Sequence, residues 1–265
     1  MNKARVCVIG SGSSGNSTFV EAGDCKLLID AGFSGVRISG ALEEIDVDPS
    51  KIHGILITHE HTDHVRGAGI LSRRYGIPIY ASKQTWEAME SSIGEVKEEN
   101  KKTFDKDNKF KIKGLEIEPF DIPHDAVEPV GYSIYHKDKK LAFATDIGHI
   151  NEELIYNLLG SDLVLLESNH DVEMLKIGPY PWFLKRRILS KHGHLSNEDA
   201  GEVVAQLAMN DTKHILLGHL SAENNFPELA YETVASILQE KGIYIDKDVK
   251  LDIVQRDERS DVFYI

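Results

Sequence analysis

The sequence predicts an α/β fold in which two sheets lie back to back with helices on their outer faces. Short apolar runs rich in β-branched residues alternate with segments of helical periodicity, and this succession occurs twice along the chain. The chain has 265 residues, enough for one substantial core, and no Pro/Gly/Ser-rich linker divides it. We therefore expect one domain over residues 1–265.

The first half of the chain contains one succession of strands and helices. Apolar or alternating runs predict strands at residues 5–9, 18–21, 26–29, 52–58 and 77–81. Ser34 and Ser82 are suited to cap helices that end near Ile45 and Gly94, and a further helix is expected before Tyr75. The glycine-rich stretch 10–17 has no lysine and leads into a strand, so it fits neither a P-loop nor a dinucleotide fingerprint.

The second half repeats the pattern. Strands are predicted at residues 110–112, 115–120, 130–135, 141–144, 163–166, 214–217, 249–254 and 262–265. Helices are predicted at 152–159 and 180–189, after the capping box that begins at Ser196, and from Pro227. The charged stretch 95–109 predicts a mobile loop or a sheet edge. In the segment 180–189, we expect Trp182 and Phe183 to serve as core or lid rather than to stack on bases.

Charge and cysteine content limit the functional classes. The net charge of −13 argues against non-specific nucleic-acid binding by the surface as a whole, although the basic residues 185–187 and Lys191 can form either a phosphate track or a solvated helix face. Cys7 and Cys25 are expected to be buried thiols in a reducing cytoplasm. The N-terminal residues suit neither a signal peptide nor a membrane span, and we expect no membrane association.

Four potential metal ligands stand within six positions directly after the apolar run 52–58. They are His59, His61, Asp63 and His64. The end of a strand is where ligand sites collect in layered α/β folds. Imidazole and carboxylate together suit zinc, manganese or iron, and the absence of thiols argues against a closed structural zinc site. The alternative is a polar loop with surface histidines. Four potential ligands in so short a stretch disfavour it.

Three further ligand candidates share this position. His124, Asp146 and His219 each stand just after a predicted strand. Any one of them alone would more often be structural, but three equivalent placements downstream of the first cluster indicate one constellation. Asp30 also follows a strand, and it is either an acceptor that holds the ligand loop or a simple cap.

Residues 59–67 match every fixed position of the HxHxDHxxG pattern and so resemble the metallo-β-lactamase superfamily. The resemblance implies a four-layer αββα sandwich. It also implies that one metal ion takes His59, His61 and His124, and that a second takes Asp63, His64 and His219. Asp146 would bridge the two ions. Two such ions can share a hydroxide that attacks phosphorus, and Asp63 can orient or deprotonate the water.

A proton donor for the leaving oxygen is the next requirement. Glu167 and His194 are similar to the glutamate and the Gly-His-Ser element of ribonuclease Z-like enzymes, in which the histidine meets the phosphate and the carboxylate orients it. A neighbouring carboxylate favours the protonated imidazole, so we expect His194 to act as the proton donor. The alternative is a helix-terminal contact without chemistry.

Several other stretches resemble the YycJ/WalJ group of this superfamily. They are residues 10–17, 167–171, 178–182, 193–197 and 218–225. The resemblance implies a cytoplasmic, divalent-metal-dependent phosphodiesterase that degrades DNA from the 5′ end, with a suggested place in mismatch repair. About seventy residues separate Asp146 from His219, too few for the inserted domain of β-CASP nucleases. Nucleic acid would then be gripped by loops of one domain, with residues 180–191 and 95–109 as candidates.

Two other classes of function stay open at this point. The first is another hydrolase on the same fold that acts on tRNA 3′ ends, a cyclic phosphodiester, a lactone or a thioester. The second is a metal-holding scaffold without catalysis, which the intact ligand set disfavours. A flavodiiron-like redox role fits less well still, since no flavin-binding domain follows.

Overall fold

The computed structural model describes residues 4–265, which form two mixed sheets of seven strands each. The strands are β1 (Arg5–Gly12), β2 (Gly15–Ala22), β3 (Cys25–Ile29), β4 (Gly54–Leu56), β5 (Ile79–Ser82), β6 (Lys101–Phe104), β7 (Phe110–Ile112), β8 (Leu115–Asp121), β9 (Val130–His136), β10 (Lys139–Ala144), β11 (Leu163–Glu167), β12 (His214–Gly218), β13 (Lys250–Ile253) and β14 (Phe263–Tyr264). The first sheet has the order β14-β1-β2-β3-β4-β5-β6 and the second the order β13-β12-β11-β10-β9-β8-β7.

The helices lie between these strands in sequence. They are α1 (Gly35–Glu43), α2 (Thr62–Val65), α3 (Ala68–Tyr75), α4 (Lys83–Ile93), α5 (Glu152–Leu158), α6 (Val172–Ile177), α7 (Trp182–Ile188), α8 (Asn197–Ala208) and α9 (Pro227–Glu240). Two 3₁₀ turns, Pro49–Lys51 and Glu98–Asn100, complete the regular structure. Within the described residues, none of the helices has both the length and the apolar character needed to cross a membrane.

Each sheet contains a parallel half, and this places the site. Strands β3 to β6 are parallel in the first sheet, and β10 to β13 are parallel in the second. The chain therefore leaves several neighbouring strands at the same edge of each sheet. Polar residues that follow those strands are brought together there.

The hydrophobic core has three parts. The central part contains residues from both sheets, among them Leu27, Tyr132 and Leu165, so the sheets pack face to face. A second part joins the first sheet to α1, α3 and α4, and a third joins the second sheet to α5, α8 and α9. The four-layer αββα arrangement predicted from the sequence is confirmed. Cys7 and Cys25 are free, buried thiols, as expected.

The predicted helix caps are present. The side chains of Ser34, Ser82 and Ser196 accept hydrogen bonds from the backbone N–H groups of residues 37, 85 and 199. Gly94 ends α4 with a φ of 74°, in the left-handed region that glycine adopts without strain. These local signals were sufficient because each acts within one turn of chain.

Several boundaries differ from the sequence prediction. Residues 10–17 form the ends of β1 and β2 around a tight turn, not a loop. The strand predicted at 52–58 is limited to Gly54–Leu56, since Ile52 closes a 3₁₀ turn and Thr58 donates its N–H to the Asp30 side chain. The segment 95–109 contains β6 at the edge of the first sheet, so the edge interpretation is correct. Helix α6 was not predicted.

Candidate metal centre

Three polar residues that follow strands adopt an unusual backbone conformation. Asp30, Asp146 and His219 have φ values of 59°, 60° and 56°, in the left-handed region. They stand after β3, β10 and β12. Such a conformation costs about 1–3 kcal/mol for a residue with a side chain and persists where the surroundings hold it. All three side chains are almost fully buried and point into one polar cluster.

The first group of candidate ligands consists of three imidazoles. One donor atom from each of His59, His61 and His124 lies within 4.8 Å of the others. His59 Nε2 is 3.0 Å from His61 Nδ1, and the ring centres of His59 and His124 are 5.2 Å apart. The turn between β4 and α2 positions the first two residues, and the loop after β8 carries the third.

The second group lies beside the first. It contains Asp63, His64 and His219, whose donor atoms also fall within 4.8 Å of one another. His64 Nε2 is 3.6 Å from Asp63 Oδ2. Asp63 and His64 belong to the short helix α2, and His219 comes from the opposite sheet.

Asp146 stands between the two groups. Its Oδ1 lies 3.7 Å from His124 Nε2 and 3.6 Å from His219 Nε2. Its Oδ2 lies 3.3 Å from His64 Nε2. One carboxylate therefore faces both groups of imidazoles, which is the placement a bridging ligand requires. The structure thus brings all seven predicted ligand candidates together.

Four of the candidate ligand imidazoles have a hydrogen-bond partner at Nδ1. Thr58 Oγ1 lies 3.0 Å from His59 Nδ1, and Asp30 Oδ2 lies 2.8 Å from His64 Nδ1. The carbonyl of Gly193 is 3.2 Å from His124 Nδ1, and Glu167 Oε1 is 2.6 Å from His219 Nδ1. Partners at Nδ1 fix the ring orientation and leave Nε2 to meet a cation.

Of the two interpretations of Asp30, the structure supports the acceptor that holds the ligand loop. Its carboxylate accepts hydrogen bonds from the N–H and the hydroxyl of Thr58, both at 2.9 Å, in addition to its contact with His64. Asp30 caps neither of the helices near it.

Burial and charge act in opposite directions on the cluster. Burial lowers the pKa of His59 well below its ordinary value. Burial has the same effect on His64 and His219, but Asp30 raises the pKa of His64 well above its ordinary value, and Asp146 raises that of His219 to about 9. Burial would raise the pKa of Asp146, yet the neighbouring imidazoles, His219 first, lower it well below the usual range. The buried carboxylates therefore favour positive charge at His64 and His219 but not at His59.

The residues fit a divalent cation. Asp146 Oδ2 and His219 Nε2 are buried and lack a hydrogen-bond partner among the described residues, and both face the cluster. Imidazole nitrogens with two carboxylates are the donor set of zinc, manganese and iron sites. A cation would satisfy the two unpaired atoms, since each can offer it a lone pair.

A second carboxylate joins the cluster to His194. Glu167 is fully buried at the end of β11, and its Oε1 lies 2.9 Å from His194 Nδ1. Burial would raise the pKa of Glu167, but His194 and His219 lower it to about 2. With Nδ1 held by Glu167, Nε2 is the ring nitrogen of His194 left for the adjacent pocket.

A pocket of about 440 Å³ opens over this cluster. His61, Asp63, Asp146 and His194 line its floor, and Ser13 at the turn between β1 and β2 lies at its margin. Helix α7 and the residues before it supply a further side of the pocket, through Tyr180, Leu184, Arg187 and Ile188.

The predicted basic run is divided between two roles. Lys185 is buried, and its Nζ donates to the carbonyls of Lys176 and Gly178, each at 2.7 Å. Arg187 lines the pocket and pairs with Asp125, with 2.5 Å between Nε and Oδ2. The run is therefore neither a continuous phosphate track nor only a solvated helix face.

The other sequence assignments near the site have mixed outcomes. Trp182 and Phe183 are 68 % and 74 % exposed, so the core interpretation was wrong. His149 meets the carbonyl of Lys191 through Nδ1 at 2.9 Å, whereas His192 is exposed. His170 is buried beside the second sheet, away from the pocket lining.

Several supporting residues were missed by sequence reasoning. Asn16 Nδ2 lies 3.0 Å from His64 Nε2, and the Ser11 hydroxyl accepts the N–H of His219. A side chain at Gly193 would begin 2.0 Å from the carbonyl of Ile188, so only glycine allows this approach. The glycine-rich stretch 10–17 was the available signal for Ser11 and Asn16, but it was weighed only as a phosphate loop.

Comparison with known proteins agrees with this architecture. Residues 26–220 match the family model described as a beta-lactamase superfamily domain. The chain is 43 % identical over 235 residues to the exodeoxyribonuclease YycJ of Bacillus anthracis, covering 89 % of each chain. It is 44 % identical over 246 residues to the exodeoxyribonuclease WalJ of Streptococcus pneumoniae serotype 2, covering 92 % of this chain and 91 % of the relative.

Among solved structures, the metallo-beta-lactamase fold protein YhfI from Bacillus subtilis superposes with a TM-score of 0.75 at 17 % identity, covering all of both chains. This likeness concerns the fold alone. The family match and the ligand clusters identify a metal-dependent hydrolase. The chain belongs to the beta-lactamase superfamily, within the group that contains YycJ and WalJ.

Proposed function

We propose that this chain is a divalent-metal-dependent phosphodiesterase that degrades DNA from the 5′ end, and that residues 1–265 form one hydrolase domain. One observation carries the proposal: Glu167 contacts both a candidate metal ligand, His219, and the pocket-lining His194. A metal centre that activates water and an imidazole that can donate a proton to the leaving oxygen together suit hydrolysis of a phosphodiester. The names of the relatives, exodeoxyribonucleases at 43–44 % identity, support DNA as the substrate.

Two divalent ions would be held by the residues of the cluster. His59, His61 and His124 would hold one ion, and Asp63, His64 and His219 the other. Asp146 would stand between them. Zinc and manganese suit these ligands best, and iron is also compatible. When bound, such ions acidify a water molecule and neutralise charge on phosphoryl oxygens.

Asp63 and His194 would move the protons. Asp63 lines the pocket and is partly exposed, so its carboxylate can orient the attacking water and accept its proton. The water oxygen bonds to phosphorus, and the bond from phosphorus to the leaving sugar oxygen breaks. His194 would then donate a proton from Nε2 to that oxygen, because Glu167 holds its Nδ1. Glu167 acts through His194 as a positioning residue.

A place in mismatch repair and a cytoplasmic location are part of the same proposal. The repair role rests on the resemblance of this chain to the YycJ/WalJ group. The two cysteines are free thiols, which suits a reducing compartment.

The test compares labelled polynucleotides. Metal-reconstituted protein is incubated with 5′- and 3′-labelled duplex DNA, single-stranded DNA and RNA. We expect stepwise degradation of DNA from the 5′ end, abolished in His59→Ala and retained in His192→Ala, which changes an exposed histidine outside the pocket lining. Cleavage of a cyclic phosphodiester, lactone or thioester, with every polynucleotide left intact, would refute the substrate assignment.

A further inference from the structure

Exposed hydrophobic side chains are concentrated in one segment next to the pocket. We call residues 172–189, which contain α6 and α7, the α6–α7 arm. Of the twelve large hydrophobic side chains exposed in the described chain, four lie here. They are Ile177 (84 % exposed), Trp182 (68 %), Phe183 (74 %) and Leu189 (45 %). Single exposed apolar residues are ordinary, but a cluster beside a functional site marks a binding surface.

Buried polar contacts hold the α6–α7 arm in place. Lys185 is buried, and its ammonium group satisfies two carbonyls, those of Lys176 and Gly178, at the end of α6. A side chain at Gly178 would begin 2.7 Å from Asn224 Oδ1 and from the carbonyl of Met174, so the turn between the helices packs closely. Trp182 and Phe183 are thus displayed on a fixed support.

The exposed aromatic rings lie on a surface that continues into the pocket. Phe183 stands four residues before the pocket-lining Arg187, so helical periodicity places the two on the same side of α7, one turn apart. Trp182 and Arg186 form a second such pair. Arg186 forms no ion pair within the described part of the chain, and Arg187 is 55 % exposed despite its contact with Asp125.

Two aromatic rings with two arginines one helical turn later suit one kind of ligand. Bases stack on aromatic side chains, while cationic groups follow the phosphates of a single strand. In duplex DNA the bases are stacked on one another and are not available to such rings. The ligand chemistry that matches this surface is therefore a single-stranded nucleic acid.

The other candidate gripping segment, residues 95–109, is less suited. Four of its five lysines lie beside carboxylates, among them Lys101, 2.7 Å from Glu90, and Lys106, 2.6 Å from Asp121, while Lys102 has no ion pair among the described residues. Lys109 lies 3.2 Å from Glu118. Cationic groups compensated in this way attract phosphate weakly. Charge alone does not separate the two segments, since Arg187 of the arm is paired with Asp125 as well. The exposed rings of Trp182 and Phe183 favour the α6–α7 arm, because residues 95–109 expose no large hydrophobic side chain.

We propose that the α6–α7 arm binds a single-stranded stretch of the DNA substrate as it enters the pocket. Bases stack on Trp182 and Phe183, and Arg186 and Arg187 contact the phosphates. This inference rests on the proposed nuclease function for the identity of the polymer. It adds that a free or frayed strand end, rather than a closed duplex, is what the protein engages.

Binding is measured first, without turnover. The full chain, with a chelator present, is titrated with a short fluorescein-labelled oligothymidylate, and anisotropy is recorded. Phe183→Ala should weaken binding about 5- to 150-fold, and Phe183→Tyr should restore it. Tyr244→Ala is the matched control, because Tyr244 is an exposed ring with Lys247 beside it, in the loop before β13 and outside the pocket lining.

Intrinsic fluorescence locates the contact. The chain has two tryptophans, and Trp86 is only 6 % exposed with its indole N–H bonded to the carbonyl of Lys102. Quenching on addition of oligothymidylate should therefore report Trp182. An abasic sugar-phosphate strand of equal length should cause little quenching. Equal quenching by the abasic strand, or no quenching by either strand, would overturn the inference. A protein partner would then be the better explanation of the exposed surface.

Turnover then separates this inference from the nuclease proposal. The double variant Trp182→Ala/Phe183→Ala should hydrolyse bis(p-nitrophenyl) phosphate like the wild type, but its KM for single-stranded DNA should rise. If the wild type cuts DNA and the double variant has the same KM, the inference fails and the nuclease proposal stands. If the wild type binds oligothymidylate through Trp182 but never cuts DNA, the nuclease proposal fails and the binding surface stands.

Discussion

Glu167 offers the sharpest test of how the site is organised. Its Oε1 accepts hydrogen bonds from Nδ1 of His194 and of His219, at 2.9 and 2.6 Å. Its Oε2 accepts the backbone N–H groups of Ile147 and Leu195, at 2.7 and 3.0 Å. Glu167→Gln keeps the shape of the side chain but replaces one oxygen by an NH₂ group. In either orientation of the amide, its NH₂ group then faces two N–H donors, from the two histidines or from the two backbone groups.

The size of the effect follows from these four contacts. A hydrogen bond to a charged group contributes about 1.5–3 kcal/mol, so the loss of two should lower the free energy of unfolding measurably. Loss of the partner behind a metal-ligating histidine typically costs about 10- to 100-fold in metal affinity. Loss of the proton donor's orientation should slow the chemical step by up to about 10²- to 10⁴-fold.

The assay separates the two functional consequences. Metal affinity is measured by competition with a chelator, and single-turnover DNA hydrolysis is measured at saturating metal. Glu167→Gln should weaken metal binding and slow turnover, because Glu167 contacts both His219 and His194. His194→Ala should keep the metal and slow only the chemical step, and His192→Ala should change neither.

Two outcomes would refute this reasoning. Wild-type metal affinity and wild-type turnover in Glu167→Gln would show that the carboxylate positions neither imidazole. Loss of metal in His194→Ala would make His194 a ligand instead of a proton donor. Far-UV circular dichroism of each variant establishes that the comparison is between folded proteins.

The remaining predictions concern the ligands, an acid-sensitive histidine and the arm. His124→Ala and Asp63→Ala should abolish turnover and remove at least one metal equivalent after dialysis; full metal content with wild-type rates would contradict the assignment. Burial lowers the pKa of His170 to about 4, so the unfolded chain binds more protons between about pH 4 and 6.5, and stability falls as pH falls through this window. At pH 5 the wild type should therefore lose about 2 kcal/mol that His170→Gln does not lose, and parallel stability curves would contradict this. Lys185→Met should raise KM for single-stranded DNA while leaving a small phosphodiester unaffected, and an equal change for both substrates would refute a role confined to the arm.

Local signals in the sequence predicted most of the fold. Apolar runs of four to eight residues and serine caps act over one or two turns, so strands such as 163–166 and caps such as Ser196 were placed correctly. Helix α6 was missed because its six residues are too few to establish a helical period, and its apolar residues fall on more than one face, with only Leu175 buried. The strand before the ligand loop was predicted too long because Asp30, a residue distant in sequence, takes the N–H of Thr58.

The candidate site was also predicted only in part. The seven ligand candidates could be proposed because each stands at a predicted strand end. The side chains that contact them could not, since Asn16 meets His64 through the pairing of strands distant in sequence, and Ser11 meets His219 through the packing of the two sheets. The exposure of Trp182 and Phe183 also depends on tertiary contacts. Buried Lys185 and pocket-lining Leu184 determine which face of α7 turns inward, and periodicity alone does not decide between them.

The arm and the metal cluster are joined by one short stretch of chain. The N–H of His194 donates to the carbonyl of Ile188 at the end of α7, and the carbonyl of Gly193 meets Nδ1 of His124. No side chain fits at Gly193, where two carbonyls approach within 2.4 Å of a Cβ position. A strand stacked on Phe183 would therefore be held at a fixed distance from both His194 and His124. Under the proposed function, this turn would align a scissile phosphate, since it contains His194, follows the arm directly and contacts the candidate ligand His124 through the carbonyl of Gly193.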